Sequence, residues 1–543
     1  MKVLRMHLAG KGWTRSDKHG LHLRGTLFAG TAARRSPQEV AGLLPDADGS
    51  LTAWRAALAA CNGFFALVRQ AGPQLIAVVD HVRGFPLFYG ENAGTVFLSD
   101  DAEWVRRELG EQTMDPVARD EFRLTGYVTG GDTLYPKIRQ LQAGELLAID
   151  LVRSGSAILA YRYFRYWHAE PAAWDEPGMR RGFDAAVLAA AQRLIDYADG
   201  RQIVLPLSGG YDSRLIATLL CRLGYRKVLA FTYGVKGNKE AAYSRQVAHA
   251  LGLEWHFVEY GDARWRAAWN TEERRHYQRW ASGWSSLPHV QDWAAVRALR
   301  GAGVVDADCV FAPGHTCVRR HTGVTVEDIA GDAGPRAPAS LELLVEKILR
   351  GHYTRSTGKS GPRADFPRWK ARVADRLERS RIASPLELAD AHEKWEWQER
   401  QTKFICNSVR VYEFFGCDWW LPLWDAEFMR YWQGVPLALR IERRWYDDHV
   451  RRLYAEQTRD GAAAALRNAE EIGPLGKAIR LAVAKFPPGV KNYLKSIRHA
   501  VLPARYTDGY VVSHLPRAEL KRLSDEGYRI DGILVHEFLG LAP

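Results

Sequence analysis

The chain has 543 residues, 47% of them hydrophobic and 25% charged, with a formal net charge of +12 at pH 7. This composition is typical of a globular protein, and the length predicts at least two domains. No run of 18 or more apolar residues occurs, which excludes an integral membrane helix of ordinary length. The 6 cysteines form no CxxC pair, so neither zinc nor a disulfide framework is predicted. We therefore expect a cytoplasmic protein, and no nucleic-acid partner, because no RNA-binding motif accompanies the basic surplus.

Residues 1 to about 165 are predicted to form short strands. Apolar or alternating runs occur at 63–68, 74–80, 86–90 and 95–100, separated by glycine, proline and asparagine. Short strands at such close spacing are typical of antiparallel sheets that stack as a sandwich. The first half is therefore predicted to be a β-rich sandwich.

From about residue 175 the pattern changes to alternating helices and buried strands. Helical spacing is found at 182–197, 214–224 and 239–252. Apolar strand-like runs lie at 203–210, 228–234 and 255–260. Strands and helices that alternate in this way form a doubly wound parallel α/β sheet. The rest of the chain is predicted to be mainly helical.

The segment SGGYDS follows the first of these strands and begins the next helix. Ligands of open α/β sheets bind where strands end, and glycines let backbone amides approach phosphate oxygens closely. The N-terminus of the following helix favours anions. Asp212 is an unusual neighbour for phosphate unless a cation bridges them, so we assign it to Mg²⁺. The residues predicted to bind ATP here are Leu207, Ser208, Gly209, Gly210, Tyr211, Asp212 and Ser213.

This loop resembles the PP-loop of the ATP pyrophosphatases, which cleave ATP between the α and β phosphates. The resemblance implies that Phe231, Thr232 and Tyr233 contact adenine. Further stretches resemble the asparagine synthetase family in order and approximate spacing. They are 62–68, 78–90, 96–101, 134–150, 309–316 and 407–436. The family resemblance implies a class II (Ntn) amidotransferase-like domain over 1–168 and an asparagine synthetase-like domain over 175–543.

The first half departs from family members that hydrolyse glutamine. Those enzymes use an N-terminal cysteine whose own amino group is the base, whereas this sequence has Lys2 and its first cysteine is Cys61. The family's glutamine-binding segment also has no clear counterpart. We expect a retained fold without glutaminase activity, supplied with ammonia by a separate glutaminase or with an amine by the substrate.

The second half departs at the other phosphate-facing loop. The family has an acidic GEGSDE segment where this chain has PGHTC, so Gly314 and Thr316 are assigned to pyrophosphate and His315 to catalysis. The resemblance places the catalytic lysine near Arg443 and Arg444. Arg444 is our first assignment, and Lys477 remains a rival.

The chemistry implied by the resemblance is adenylation of a carboxylate, release of pyrophosphate and attack by ammonia or an amine. The subgroup that the sequence most resembles acts in bacterial surface-polysaccharide (O-antigen) synthesis, on uronic-acid or acetamido sugars. His289, Gln291 and Asp292 lie where the family places substrate contacts. A homodimer is left open.

Three alternatives stay open. A lasso-peptide or β-lactam type cyclase also adenylates a carboxylate, but its attacking amine belongs to the substrate. A tRNA-modifying PP-loop enzyme is disfavoured by the missing cysteine pair. A non-catalytic nucleotide-binding partner subunit is disfavoured by the intact Ser208, Asp212 and Ser213.

Overall fold

The computed structural model describes residues 2–153, 158–326, 339–354, 356, 366–458, 514–525 and 528–540. The strands are β1 (Val3–His7), β2 (Thr14–Ser16), β3 (Leu21–Ala29), β4 (Ala32–Arg34), β5 (Cys61–Ala71), β6 (Gln74–Val79), β7 (Phe88–Asn92), β8 (Thr95–Ser99), β9 (Arg139–Gln140), β10 (Glu145–Asp150), β11 (Ile158–Arg162), β12 (Ile203–Pro206), β13 (Val228–Gly234), β14 (Glu254–Glu259), β15 (Val310–Phe311) and β16 (Asp418–Trp419).

The helices are α1 (Pro37–Ala41), α2 (Leu51–Ala59), α3 (Ala102–Glu108), α4 (Pro116–Thr125), α5 (Glu176–Ala198), α6 (Tyr211–Arg222), α7 (Lys239–Ala250), α8 (Asp262–Trp269), α9 (Glu272–Ser282), α10 (Trp293–Gly301), α11 (Leu341–His352), α12 (Phe366–Arg376), α13 (Pro385–Trp395), α14 (Arg410–Phe414), α15 (Ala426–Gln433), α16 (Leu437–Arg440), α17 (Arg444–Thr458), α18 (Arg517–Asp525) and α19 (Ile530–Phe538). A π-helix spans Glu396–Ile405, and short 3₁₀ helices span Asp17–His19, Cys406–Val409, Pro422–Trp424 and Ile441–Arg443. Among these described helices, none combines the length and apolarity needed to cross a bilayer.

Two sheets build the first half. One has the order β1-β8-β7-β9, and the other has the order β11-β10-β6-β5-β3-β2 with β4 paired to β3. The strands of the second sheet pair antiparallel, whereas β1 pairs parallel to β8. Alternate residues of β5 point to opposite faces. Phe64 and Ala66 join the core shared with Val96 of β8, whereas Phe65 and Leu67 pack in a separate core against α1 and α2.

The second half is centred on a parallel sheet of 5 strands in the order β14-β13-β12-β15-β16. Every neighbouring pair in it is parallel. The chain leaves β12 for β13 and β14 on one side, then returns to the other side with β15. The reversal of strand order therefore lies at β12, and such switch points are where open α/β sheets bind ligands.

Buried polar contacts join the two halves. Asn62 of β5 donates to Asp425, which also accepts two hydrogen bonds from Arg193 of α5. Phe64 of β5 packs edge-on against Trp420, with ring centroids 4.6 Å apart. Phe122 of α4 stacks on Phe538 of α19. The second half is thus fixed against the sandwich from several directions.

The predicted α/β fold class is confirmed. The strands expected at 63–68, 74–80, 86–90 and 95–100 correspond to β5, β6, β7 and β8, and the expected β/α alternation is β12, α6, β13, α7 and β14. The short strands β15 and β16 were not predicted, because a strand of two residues is too short to show an alternating hydrophobic pattern. They matter, because β15 carries the second loop of the site.

Candidate active site

A cavity of about 290 Å³ lies at the carboxyl end of β12. Two loops form it: the SGGYDS segment between β12 and α6, and the PGHT segment that follows β15. The residues that line it are Pro206, Ser208, Asp212, Ser213, Tyr233, His289, Asp292, Pro313, Gly314 and His315. The structure therefore brings the two predicted phosphate loops and two of the three predicted substrate residues to one place.

The first loop is held by its own hydroxyls. The amide of Ser208 donates to the Ser213 Oγ at 3.2 Å, and the amide of Gly210 donates to the Ser208 Oγ at 3.1 Å. Helix α6 has Gly210 as its N-cap, with no capping side chain. The first turn of a helix has amide groups without intrahelical acceptors, and an anion can accept from them.

The second loop packs directly against the first. A Cβ atom built on Gly314 would lie 2.8 Å from the amide nitrogen of Ser213. Any side chain at this position would therefore push the two loops apart. The hydroxyl of Thr316 accepts from the amide of Val318 at 3.1 Å. This hydrogen bond stabilises the turn of the second loop itself.

Asp212 forms an ion pair in this cavity. Its Oδ1 accepts from Arg443 Nη2 at 2.6 Å and from the Tyr446 hydroxyl at 2.8 Å. Among the residues that the structure describes, its Oδ2 accepts from Arg443 Nη1 alone, at 3.3 Å. Burial alone would lower the pKa of Arg443, but the neighbouring Asp212, with Tyr446 and Asp447, raises it above its ordinary value. The guanidinium is thus a fixed positive charge beside the ATP loop.

An unusual turn places Arg443 there. Glu442 and Arg443 have φ angles of 56° and 51°, in the left-handed region that residues other than glycine seldom adopt. The adjacent Arg444 points outward: its side chain is 76% exposed and pairs with Glu442. The structure therefore brings Arg443, rather than the predicted Arg444, to the loop. Lys477 lies outside the described residues.

Asp447 supports Arg443 from one turn along α17. Its Oδ1 accepts from Arg443 Nε at 2.9 Å. Burial raises the pKa of Asp447 to about 6, against the opposing effect of Arg443. The charge on this carboxyl therefore changes within the pH range in which enzymes are usually assayed.

His315 is a neutral group in this cavity. Its Nε2 lies 2.8 Å from the Ser408 hydroxyl. Burial lowers the pKa of His315 to about 4, and the neighbouring His289 contributes in the same direction. At neutral pH the imidazole can donate or accept a hydrogen bond but supplies no positive charge to phosphate.

Sequence comparison gives a family for the segment that carries the first loop. Residues 189–284 match the asparagine synthase family model. The matched segment runs from within α5, through the ATP loop, to just beyond α9. Over this segment the match agrees with the predicted resemblance to the asparagine synthetase family. No curated protein matches the chain.

Solved structures give only distant likenesses. One is described as the allosteric regulatory enzyme of purine biosynthesis, with 13% identity, 60% coverage of each chain and a TM-score of 0.18. Another is the glutamine phosphoribosylpyrophosphate amidotransferase of B. subtilis with ADP and GMP, at 10% identity over 56% of this chain and 64% of that one, with a TM-score of 0.19. This chain spans less than two thirds of either. The fold assignment rests on the sheet topology instead.

The predicted substrate residues fall into two groups. Asp292 is buried, and its two oxygens accept from the hydroxyls of Tyr233 and Tyr412. His289 lines the cavity beside it. Gln291 is turned toward its own backbone, where its Oε1 accepts from the amide of Val290. Sequence reasoning missed Tyr412, which lies 120 residues from Asp292 along the chain.

The residues predicted to contact adenine hold the end of β13 in place. The Thr232 hydroxyl donates to the Leu207 carbonyl at 2.6 Å, and the Leu207 amide donates to the Phe231 carbonyl at 2.8 Å. The side chain of Phe231 is fully buried. Only Tyr233 of these three lines the cavity.

The asparagine synthase match implies ATP, and the predicted Mg²⁺ can be tested against the donor set. Within the described ranges, no group of three or more His, Cys, Asp or Glu side chains could hold a metal ion. Mg²⁺ beside a nucleotide usually needs only one or two carboxylates, because phosphate oxygens and waters complete its octahedron. Asp212 Oδ2 has one hydrogen bond and retains acceptor capacity. The residues present therefore fit an ion shared with bound phosphate.

The first half presents Cys61 as a structural thiol. The residue is 7% exposed, and its Sγ donates to the Ala57 carbonyl at 3.2 Å. Burial raises the pKa of this thiol to about 11. A nucleophilic cysteine needs a thiolate at neutral pH, so Cys61 is not suited to glutamine hydrolysis.

Proposed function

We propose that this protein is an ATP-dependent carbon–nitrogen ligase that adenylates a carboxylate and releases pyrophosphate. The observation that carries this proposal is the packing of the Gly314 loop against the SGGYDS loop at the strand switch point. The family match over residues 189–284, which include the SGGYDS loop, supports ATP-dependent amide formation. We assign both loops to the phosphate end of one nucleotide.

The reaction needs an activated acyl group, because a free carboxylate has no good leaving group. The substrate carboxylate oxygen attacks the α-phosphorus of ATP, and the bond to the bridging oxygen breaks to release pyrophosphate. Ammonia or an amine then attacks the acyl carbon, loses a proton, and AMP leaves. Negative charge accumulates on the departing phosphates, so fixed donors beside them lower the barrier.

The chain's own groups can supply those donors. We assign the amides of the first turn of α6 and the hydroxyls of Ser208 and Ser213 to the phosphates. Arg443 can turn from Asp212 to a phosphate oxygen and bind it with its planar fork. Mg²⁺, when bound at Asp212, would neutralise phosphate charge. His315 is assigned to hydrogen bonding, because it is neutral at pH 7.

For the acceptor we propose a hydroxylated sugar that carries a carboxylate, which would become a carboxamide, or an acetamido group. In the second case the amide oxygen would take the AMP group, and nitrogen would then displace it as AMP to give an amidine. The cavity wall beyond the phosphate loops is polar and includes Tyr233, His289 and Asp292. Hydroxyl, imidazole and carboxylate groups suit the alternating donors and acceptors of a sugar. Involvement in bacterial surface polysaccharide is part of this proposal.

The nitrogen is proposed to arrive as free ammonia or as an amine. Cys61 is the one cysteine within residues 2–168, and it is buried with a raised pKa. An amine that belongs to the substrate would make the enzyme a cyclase, and the site chemistry would be unchanged.

The test measures pyrophosphate release by the purified full chain with ATP and Mg²⁺. One arm adds ammonium and an N-acetylated uronic-acid nucleotide, a second adds glutamine instead of ammonium, and a third adds a peptide with a free amine and a side-chain carboxylate. We expect release of AMP and pyrophosphate in the first arm only. Release in the third arm alone would establish the cyclase. Absence of ATP binding and of pyrophosphate release in every arm would contradict the ligase.

A further inference from the structure

A second cavity, of about 170 Å³, lies between the sandwich and the parallel-sheet half. The sandwich contributes Arg83, Phe88 and Asp101, and the second half contributes Trp280 and Arg410. None of these residues lines the cavity at the ATP loops. The space is smaller than the roughly 300–1,000 Å³ of sites that enclose drug-sized ligands, so it suits a small molecule.

Arg83 is the unusual residue of this cavity. It is 4% exposed, and its φ is 58°. Its Nε donates to the Leu141 carbonyl at 3.1 Å, and its guanidinium lies 5.6 Å from the Phe88 ring centre. Across the described residues, no carboxylate forms an ion pair with it. Burial and the neighbouring Arg410 lower the pKa of Arg83 to about 9, against the opposing effect of Asp80, so it stays charged at neutral pH.

The other two arginines of the cavity are already compensated. Arg24 pairs with Asp100 at 3.2 Å and with Glu413 at 3.0 Å. Arg410 pairs with Glu413 at 2.7 Å. Asp80 acts on Arg83 without forming a direct ion pair with it. Because a buried charge without a directly paired counter-charge is costly, the charge of Arg83 is the one that a ligand would neutralise.

The surroundings of Arg83 define the ligand. A guanidinium presents parallel N–H groups that match a planar carboxylate. Asp101 lies in the wall and uses its Oδ1 to cap α3, accepting from the amide of Glu103. Its negative charge disfavours a dianion such as phosphate. Phe88 and Trp280 provide apolar surface for the remainder of a small monoanion.

One segment connects this cavity to the ATP loops. Asn407 and Arg410 line the cavity between the two halves. Ser408 and Tyr412, on the same stretch, bond to His315 and Asp292 at the ATP site. A shift of this stretch would therefore be felt at both sites, which is the physical requirement for coupled binding.

We propose that the cavity between the halves binds a small monocarboxylate through Arg83 and that its occupancy changes the affinity of the chain for ATP. The binding step stands on the cavity alone, whereas the coupling step rests on the proposed function. Linkage requires the effect to be reciprocal, so ATP must change the affinity for the carboxylate by the same factor.

Binding is tested by equilibrium dialysis of the full chain with radiolabelled acetate, at ionic strength held constant with sodium chloride. We expect one saturable site per chain, about tenfold weaker in Arg83→Gln because the bidentate contact is lost. Arg107→Gln, on an exposed arginine of α3, is the matched control and should bind like the wild type. Non-saturable uptake, or equal binding by Arg83→Gln, would overturn the site.

Asp101→Asn keeps the test decisive if Arg83→Gln does not fold. Asparagine caps a helix as well as aspartate does, so α3 should persist while the repelling charge is removed. We expect acetate to bind about threefold more tightly. Unchanged or weaker binding would count against a carboxylate beside Asp101. Inorganic phosphate should compete less well than acetate; stronger competition by phosphate would overturn the assignment to a monocarboxylate.

Coupling is measured as the affinity for a fluorescent ATP analogue with and without saturating acetate. We expect a change of about threefold or more in the wild type and none in Arg83→Gln. An unchanged affinity in the wild type would overturn the coupling. If no nucleotide binds at all, the proposed function fails, and the dialysis result still decides the carboxylate site.

Discussion

The junction between the halves and the ATP loop each contain an aspartate paired with an arginine, but the two pairs differ in their surroundings. Asp425 is 1% exposed. Its oxygens accept from Arg193 at 2.6 and 2.8 Å and from Asn62 at 3.0 and 3.1 Å. It also caps α15 through the amides of Glu427 and Phe428.

Asp212 has fewer partners and a side chain that is 22% exposed at a cavity. A carboxylate has about four acceptor positions, and the two oxygens of Asp212 accept three hydrogen bonds. Asp425 is saturated and buried, so it fixes structure. Asp212 keeps capacity and access, so it can exchange its arginine for a ligand. The burial of an ion pair and the number of its other hydrogen bonds, more than the pair itself, therefore distinguish a structural role from a functional one.

Asp425→Ala should give the largest effect on the junction. It would leave the guanidinium of Arg193 without its buried partner, and breaking such a pair typically costs about 3–5 kcal/mol. We expect a marked fall in the urea midpoint and melting temperature of the purified chain. Glu427→Ala is the control: Glu427 also contacts Arg193, but its side chain is 50% exposed, so the loss should stay below about 1 kcal/mol. Equal effects of the two changes would remove the distinction between saturated and exposed partners.

Asp212→Asn should affect activity and leave stability nearly unchanged. The amide keeps the shape of the carboxylate but loses the charge that can hold a cation beside phosphate. We expect pyrophosphate release to fall roughly 100-fold, about 2.7 kcal/mol in the barrier. Asp184→Asn is the matched control, because Asp184 also pairs with an arginine, Arg452, away from the cavity. Unchanged turnover in Asp212→Asn would exclude the assigned role.

Arg443→Gln and Arg444→Gln form a neighbouring pair that tests which arginine serves the site. The side chain of Arg443 is 11% exposed and contacts Asp212, whereas that of Arg444 is 76% exposed. Loss of one bidentate phosphate contact should raise the KM for ATP about tenfold in Arg443→Gln. Arg444→Gln should stay within about twofold of the wild type. The reverse order would return the assignment to Arg444.

Asp447→Asn should have the smallest effect, and it should be visible only as a change in pH dependence. Above pH 6, ionised Asp447 helps to hold Arg443; below it, the neutral carboxyl holds it less firmly. We therefore expect the KM for ATP to be about twofold to threefold higher at pH 5.5 than at pH 7.5 in the wild type, because Arg443 is positioned less firmly at the lower pH. In Asp447→Asn this inflection should be absent. An inflection that persists in the variant would assign it to another group.

The strand–turn–helix unit around the SGGYDS loop could be predicted from sequence because its signals are local. The apolar run before Ser208, the two glycines and the helical spacing after Asp212 all fall within one strand–turn–helix unit. The structure places β12 and α6 on either side of that loop, as expected. The family match over residues 189–284 covers the same unit.

The partners of the loop could not be predicted in the same way. Arg443 contacts a residue 231 positions away, and the choice between it and Arg444 depends on two consecutive left-handed residues. Neither is glycine, so the sequence gives no sign of the turn. Likewise, Tyr412 of α14 is 120 residues from Asp292 along the chain, and its ring stacks on Phe311 of β15, so the contact depends on the tertiary fold. The adenine contact implied by the resemblance runs through the backbone at the end of β13, and the Thr232 hydroxyl, which donates to the Leu207 carbonyl, helps to hold that end in place.

The left-handed turn at Glu442 and Arg443 also limits how this chain can be made more robust. Each non-glycine residue in that conformation costs on the order of 1 kcal/mol or more, and glycine would remove the cost. The same glycine would make the backbone more flexible, and the guanidinium of Arg443 would no longer be held beside Asp212 in the SGGYDS loop. Selection for heat tolerance and selection for turnover would therefore act in opposite directions on these two residues. A thermostable relative that keeps the activity should gain its robustness elsewhere and retain the strained turn.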